Sequence, residues 1–426
     1  MSPTFTSLHV RNYRLYATGG FVSNIGTWMQ RVAQDWLVLQ LSGHSGIALG
    51  ITTGLQFLPM LVLAPFAGTV ADRFSKRKVL MLTQASMAVV GAVLGVLDIT
   101  GVVQVWHVFL LALLLGVGAA VDAPARQSFV IEMVGRNDLQ NAVALNSASF
   151  NLGRVIGPAV AGFLIVLVGT GPVFLINAAS FGAVIFALKK MRTSELSPVP
   201  RAERGKGQVM EGIRYVRRRP DLMIVMIVVF FVGTFGLNFQ MTSALMATQV
   251  FHKGAGGYGI LGSIVAVGSV SGALLSARRG RPRLRLIIGS AVAFGIVEVT
   301  AGLMPNYLAF SAMLIPLGLS QMTLLNAANA TMQLGVDPVM RGRVMALYMA
   351  VLMGGTPFGA PLVGALAEAF GARWSLIGGG AISGAAALIA AAVLARHSGT
   401  EARGELFGAQ RRTMREQELA DLALQR

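Results

Sequence analysis

The chain has 426 residues and a formal net charge of +17, yet only 12% of its residues are charged while 54% are hydrophobic. A soluble domain carries about 25% charged residues, and a water-soluble fold could not cover its surface with so few. Disorder, collagen and coiled coil are excluded by the same arithmetic. About 230 apolar residues supply roughly eleven or twelve spans of about 20 residues each, so the composition predicts an all-α polytopic membrane protein. Zero Cys excludes disulfides, thiol catalysis and thiolate metal sites. The His residues (His9, His44, His107, His252, His397) show no ligand spacing, so no metal and no other cofactor is expected.

The opening MSPTFTSLHVRNYR shows no signal-peptide pattern, and Arg11 and Arg14 are placed to anchor a first span. Breaks at charges and at Gly/Pro clusters then leave twelve apolar helices. Six are predicted at 15–41, 46–71, 79–98, 103–124, 140–167 and 171–189, and six at 222–249, 256–277, 286–304, 307–331, 343–369 and 374–395. The longest polar stretch, 190–220, separates the two sets. This predicts an N-terminal six-helix bundle (1–189), a linker (190–220), a C-terminal six-helix bundle (221–396) and a solvated tail (397–426). With both termini and the linker in the cytoplasm, 31 of 35 Lys and Arg fall on that side, against Lys253 and Arg373 outside. Such a bias sets topology. The positive charge is therefore topogenic, and no nucleic-acid partner is expected. The expected location is the plasma membrane of a bacterium.

Helix 1 carries Arg31 and Asp35 four residues apart, hence on one face, with Asn24, Gln30 and Gln34 nearby. A charge inside a membrane is costly unless hydrated or paired. One reading makes Asp35 a proton carrier with Arg31 as its counter-charge; the other makes the pair a static salt bridge or an outer gate. Met29, Phe57 and Met60 are candidates for an adaptable apolar pocket. Between helices 2 and 3 runs GTVADRFSKRKVL, 68–80. There Gly68 permits close helix approach, and Asp72 at a helix C-terminal end needs a partner. Arg73, Lys76, Arg77 and Lys78 supply positive charge. Asp122 and Arg126 are again four apart near the inner end of helix 4, and are expected to support the 68–80 loop rather than to act in transport.

Helix 5 carries Gly153-x-x-x-Gly157-Pro158-x-x-x-Gly162. Small residues four apart let helices touch, and Pro158 invites a bend. Arg154, near its midpoint, could pair with Asp35, meet an anionic substrate or gate; the alternative is a structural pair with helix 1 or 8. The linker ends in VMEGIRYVRRRP, where Val209, Ile213 and Val216 share a face. An interfacial helix on anionic lipid is expected. Helices 7 and 10 offer Asn238, Gln240, Thr242, Gln321, Thr323, Asn326 and Asn329 without charge. Glu298 in helix 9 is expected to be paired or to snorkel. Phe21-Val22, Gly26 and Gln30 recur as Phe231-Val232, Gly236 and Gln240 at an offset of 210. Ala144-Leu145, Gly157 and Gly162 recur as Ala346-Leu347, Gly359 and Gly364 at an offset of 202. The halves therefore read as parallel repeats.

Residues 68–80 resemble the 2–3 loop of the major facilitator superfamily, G-x-x-x-D-R-x-G-R-R/K, with Ser75 in place of Gly and Lys76 in place of the first Arg. The resemblance implies a cytoplasmic latch in which Asp72 bonds across to helix 11. The counterpart Gly272-x-x-x-Ser276-Ala-Arg-Arg lacks the acid. The helix 5 glycines resemble the superfamily's antiporter motif, with Ala161 and Ala144 where Gly is usual. Helix 11 repeats that theme with Gly355, Pro357, Gly359, Pro361 and Gly364. Asp122-Ala-Pro-Ala-Arg126, EGIRYVRRRP and Arg341-Gly-Arg343, with SNIGTWMQRVAQDWLVLQL in helix 1, resemble the enterobactin-exporter-like branch, also called transmembrane secretion effectors. The likeness runs to about residue 396.

It implies twelve transmembrane helices in two six-helix bundles, the major facilitator fold, around a cavity lined by helix 1. It also implies alternating access and export of small organic molecules (drugs, secondary metabolites or siderophores) against protons. No G-x-x-x-x-G-K-[ST] motif is present and no nucleophile–base set stands out, so the protein is expected to be a transporter rather than an enzyme. Uptake, facilitated diffusion and a transport-inactive sensor are the alternatives. Each chain holds a complete pair of bundles, so a monomer is expected.

Overall fold

A backbone inside a bilayer must satisfy its own hydrogen bonds, which restricts a chain of this composition to helices. The computed structural model describes residues 3–197, 208–278 and 283–395. The expected tail at 397–426 and part of the linker lie outside the described residues. At Gly68 and Asp72 only the helical backbone falls within them. The first half contains span 1 (Arg11–Leu41), span 2 (Gly46–Arg73), span 3 (Lys76–Ile99), span 4 (Val105–Val134), span 5 (Leu139–Val168) and span 6 (Thr170–Lys190). A linker helix, Gln208–Arg217, follows. The second half contains span 7 (Pro220–Val250), span 8 (Ala255–Ala277), span 9 (Leu284–Leu303), span 10 (Tyr307–Leu334), span 11 (Pro338–Phe370) and span 12 (Ala372–Ala395). No strand occurs among the described residues.

Eleven of these helices are long and apolar enough to cross a membrane. Span 1 is the exception despite its 31 residues, because Asn24, Gln30, Arg31, Gln34 and Asp35 interrupt its apolar run. Several helices outrun their expected limits. Span 4 continues to Val134 and keeps Pro124 inside it, so Asp122 and Arg126 sit within a helix. Span 11 starts with Pro338 in its first turn, where the missing N–H costs nothing, and breaks at Gly355 before Pro357. Span 7 contains two π turns, Val232–Gly236 and Met246–Val250, on either side of Phe239–Leu245. Gly169 and Gly371 adopt φ of 83° and 96°, so spans 5–6 and 11–12 reverse direction within a residue or two.

Within the first half, span 1 packs on spans 5 and 6, span 2 on span 4, and span 3 on spans 4 and 6; in the second, span 10 packs on spans 8 and 9. Two pairs make most of the contact between the halves, span 2 with span 11 and span 5 with span 8, while span 7 touches spans 1 and 2 more lightly. Glycine sets both approaches. A Cβ on Gly50 would lie 2.5 Å from the Ala360 carbonyl oxygen, and one on Gly162 would lie 2.8 Å from that of Ala255.

The linker helix departs in part from its expected place on lipid. Val216 is buried against the protein. The Glu211 carboxylate pairs with Arg343, and the Tyr215 hydroxyl donates to Asp337 Oδ2 at 3.1 Å. These bonds fasten the helix to the start of span 11. Arg214, Arg217 and Arg218 remain exposed.

Candidate functional site

The halves meet at the end of the molecule remote from the linker. There the Tyr258 hydroxyl of span 8 donates to Asp35 Oδ2 of span 1 at 2.7 Å. Tyr258 is 1% exposed and Asp35 8%. Nearby, Glu368 Oε2 of span 11 accepts from Ser45 Oγ at 2.7 Å and from the Ile47 N–H at 3.1 Å. The carboxylate thus sits at the N-terminus of span 2, where a helix favours negative charge. Gln249 Nε2 donates to the His44 carbonyl at 2.7 Å, and Ser263 Oγ to that of Val155 at 2.7 Å. Among the described residues, every hydrogen bond joining the halves belongs to this seam.

Arg31 and Asp35 share a face as the spacing requires, but they form no ion pair. The static salt bridge is therefore absent here. An Arg placed N-terminal to its acid is the weaker order for a pair four residues apart, and Tyr258 takes the carboxylate instead. The Arg31 guanidinium lies 4.8 Å from the centre of the Trp28 ring and 5.7 Å from that of Phe57. Arg154 of span 5 approaches the same indole at 5.9 Å and likewise has no acidic partner. Cation–π contact holds both side chains in place. Arg31 Nε and Trp28 Nε1 are buried without a hydrogen-bond partner. Gln240 lies beside the Tyr258 hydroxyl, and its Nε2 is also unpartnered.

Four of the residues expected to gate, Lys76, Arg77, Asp122 and Arg126, form staples within the first half. Asp122 accepts from Thr83 Oγ1 and Gln84 Nε2, both at 2.8 Å, and from Arg126 Nε at 2.9 Å. Arg126 lies over the Tyr16 ring at 5.8 Å. Lys76 pairs with Glu132 of span 4. Arg77 donates to the Leu188 carbonyl at 2.6 Å and to that of Lys189 at 3.3 Å at the end of span 6. Arg73 and Lys78 are exposed, and the Asp72 side chain lies outside the described residues. Asp122→Ala would strand Gln84 Nε2 and Arg126 Nε, while Thr83 Oγ1 keeps the Leu80 carbonyl as acceptor. It is expected to destabilise the protein by about 3 kcal/mol, read as a lowered melting temperature in detergent, with Asp122→Asn milder.

Gly153 packs against Asn24, and Gly157 against Ile25 and Trp28, while Pro158 and Gly162 face Gly259 of span 8. The motif therefore serves two contacts, one within the half and one across the seam. Asn24 Nδ2 donates to Ser149 Oγ at 2.9 Å. Gln30 turns into the bundle, where Asn177 of span 6 donates to it. Gln34 is buried. Asn238 Nδ2 returns to the Thr234 carbonyl at 2.8 Å, beside the first π turn. Gln321 is half-buried. Asn326, Asn329, Gln333 and Ser276 line a cavity of about 420 Å³ among the linker-side ends of spans 8 to 10. Glu298 neither pairs nor snorkels: it is 1% exposed, packs against Gly379 and Gly380, and leaves Oε2 without a partner.

Tyr258, Glu368 and Trp28 were not visible as site residues from sequence. A hydroxyl-bearing ring on the glycine-rich face of span 8 was the sole local hint of the first.

The sequence and the fold have known counterparts. A family model described as transmembrane secretion effector matches residues 2–423. The chain is 23% identical to the staphyloferrin A transporter of Staphylococcus aureus, over 84% of this chain and 90% of that protein. It is 28% identical to the multidrug efflux pump Tap of Mycolicibacterium fortuitum, over 81% and 87%. With the enterobactin exporter EntS of Shigella flexneri it shares 26% over 90% of both chains. Its fold is similar to that of a bacterial homologue of the human lysosomal transporter Spinster, solved inward-facing and unoccupied. The TM-score is 0.74 at 16% identity, covering 92% of this chain and 97% of that one. Twelve helices in two bundles, joined by a small-residue seam and matched over nearly their whole length, make this chain a member of the transmembrane secretion effector family of major facilitator transporters.

Proposed function

We propose that the protein is a secondary transporter that exports small organic molecules in exchange for protons by alternating access. The observation that carries this reading is the buried bond between Asp35 and Tyr258. It places a membrane carboxylate at the seam between the halves, where its protonation state and the closure of the seam bear on one another. The two bundles, 1–189 and 221–396, rock about the substrate, with both termini and the linker in the cytoplasm. In that orientation the closed seam is external and the cavity faces the cytoplasm.

Asp35 carries the proton. Gly68, Asp72, Arg73, Lys76, Arg77 and Lys78, supported by Asp122 and Arg126, close the cytoplasmic side in the opposite state. Gly153, Gly157 and Pro158 let span 5 follow. Relatives named for siderophore transport and drug efflux support drugs or siderophores as the cargo class. The exposed Arg214, Arg217 and Arg218 suit anionic lipid, and one chain suffices.

The test is transport in proteoliposomes under an imposed pH gradient, with a panel of lipophilic drugs and siderophores. Movement that follows the gradient and stops with a protonophore is the expected result. Equilibration indifferent to the gradient would establish facilitated diffusion, and binding without movement a sensor.

Tyr258→Phe removes one hydrogen bond from the seam. A bond to a charged group contributes about 1.5 kcal/mol, or about a tenfold shift toward the externally open state. Because the chain has no Cys, a single Ala255→Cys, buried in the seam, reports this directly. Its labelling by an impermeant maleimide should rise about tenfold in the Tyr258→Phe background.

A further inference from the structure

We propose that Arg31, Arg154 and the indole N–H of Trp28 form the site that receives an acidic group of the transported molecule, a carboxylate or comparable oxyanion. The assignment rests on the transport reading above and narrows its substrate class. Two guanidinium groups approach one indole at 4.8 and 5.9 Å, close enough for the charge of Arg31 to act on Arg154. Like charges gathered inside a membrane demand compensation. Among the described residues, neither guanidinium donates a hydrogen bond to any acceptor. Asp35, one turn along, is held by Tyr258. Even with Asp35 ionised, two cations and one carboxylate leave a positive charge in excess.

The donors point the same way. Arg31 Nε and Trp28 Nε1 are buried and unpartnered, and such donors are costly to leave unmade. One oxyanion entering beside Trp28 would accept from both and pair with Arg154. Guanidinium suits this because its planar fork matches a carboxylate. The rings of Trp28 and Phe57, already beside Arg31, would cover the apolar part next to the acid. A neutral amide or ester leaves the donors under-satisfied, and a cation is repelled. The cargo class is therefore amphipathic organic acids.

The same arrangement supplies release. While the seam is closed, Tyr258 keeps the Asp35 carboxylate from Arg31. When the seam opens, Tyr258 leaves with the second half, and Asp35 turns to the nearest cation on its own helix. It then competes with the bound anion for Arg31. The acid is held while the linker end is open and displaced once the opposite end opens.

The test uses the purified full-length chain in detergent, titrated with 2-naphthoate and with neutral 2-naphthamide. Naphthoate is expected to bind at least about tenfold more tightly than the amide. Arg154→Ala should abolish that preference, and Arg154→Lys should restore part of it. Asp35→Asn should tighten naphthoate about fivefold, since it removes the competing negative charge. A gain of affinity cannot come from misfolding, so this variant decides the matter if Arg154→Ala proves unstable. Equal affinity for the two probes, no naphthoate binding at millimolar concentration, or an unchanged affinity in Asp35→Asn would overturn the site. Naphthoate binding without gradient-driven transport would leave the site standing and remove the antiport reading. Gradient-driven efflux of a cationic dye without naphthoate binding would do the reverse.

Discussion

Asp35→Asn is expected to abolish proton-driven export while leaving the protein folded in the membrane. The amide has the shape of the carboxyl and still offers Oδ1 to the Tyr258 hydroxyl, so the seam can close. What it lacks is a proton to exchange and a charge that differs between states. Efflux from cells stripped of their own pumps should fall to the level that a protonophore leaves in the wild type. Exchange of labelled for unlabelled substrate across the same membrane should continue, slowed by the loss of the carboxylate that helps displace the bound acid, because rocking itself needs no proton. Asp35→Glu should keep part of the driven transport. Proton-driven export at the wild-type rate in Asp35→Asn would remove Asp35 as the carrier.

Gly50→Val should be as severe by a different route. The added Cβ would stand 2.5 Å from the Ala360 carbonyl oxygen and 2.9 Å from the Ala360 carbonyl carbon and the Pro361 Cα. These are backbone atoms of span 11, so no side-chain rotation relieves the contact. Overpacking a well-fitted contact costs about 1–3 kcal/mol, here charged wholly to the closed seam. Transport should fall at least about tenfold, and maleimide labelling of Ala255→Cys should rise as the seam stays open. Gly182→Ala, whose Cβ would meet nothing within 4 Å, is the matched control. Normal transport by Gly50→Val would show that spans 2 and 11 do not need this contact to cycle.

The number and order of helices were legible because a membrane span writes itself as a long apolar run, and that signal survives errors of several residues at each end. Helix ends were less so. Pro124 and the charges around it read as a boundary, yet span 4 carries them inside, where Asp122 is satisfied by span 3 and by Arg126. The linker helix was recognisable from Ile213 and Val216, but its seat was not. A pairing such as Glu211 with Arg343, from residues 132 apart, leaves no mark in either local pattern.

The candidate site shows the same limit. Arg31, Asp35 and Arg154 stood out because charges in apolar helices are rare. Their partners did not, since spacing along one helix says nothing of what the other half presents. Tyr258 intercepts a carboxylate that four-residue spacing would have given to Arg31. Glu298 was misplaced for a related reason: a peripheral helix suggests an exposed acid, whereas spans 9 and 12 enclose it with glycines.

The polarity of span 1 has a consequence for how the protein is made. Eleven helices are apolar enough to enter a bilayer on their own merits, and span 1 is not among them. Preceding the other eleven spans in the chain, it reaches the insertion machinery before them with Arg31 and Asp35 uncovered, each disfavoured near the middle of a membrane. Its apolar stretches are too dilute to offset them. Stable insertion is then expected to await spans 5 and 6, which pack along it in the finished fold and take up Asn24 and Gln30 through Ser149 and Asn177. Span 1 fused alone to a topology reporter should insert poorly, and should insert well once translation has carried the chain past Lys190.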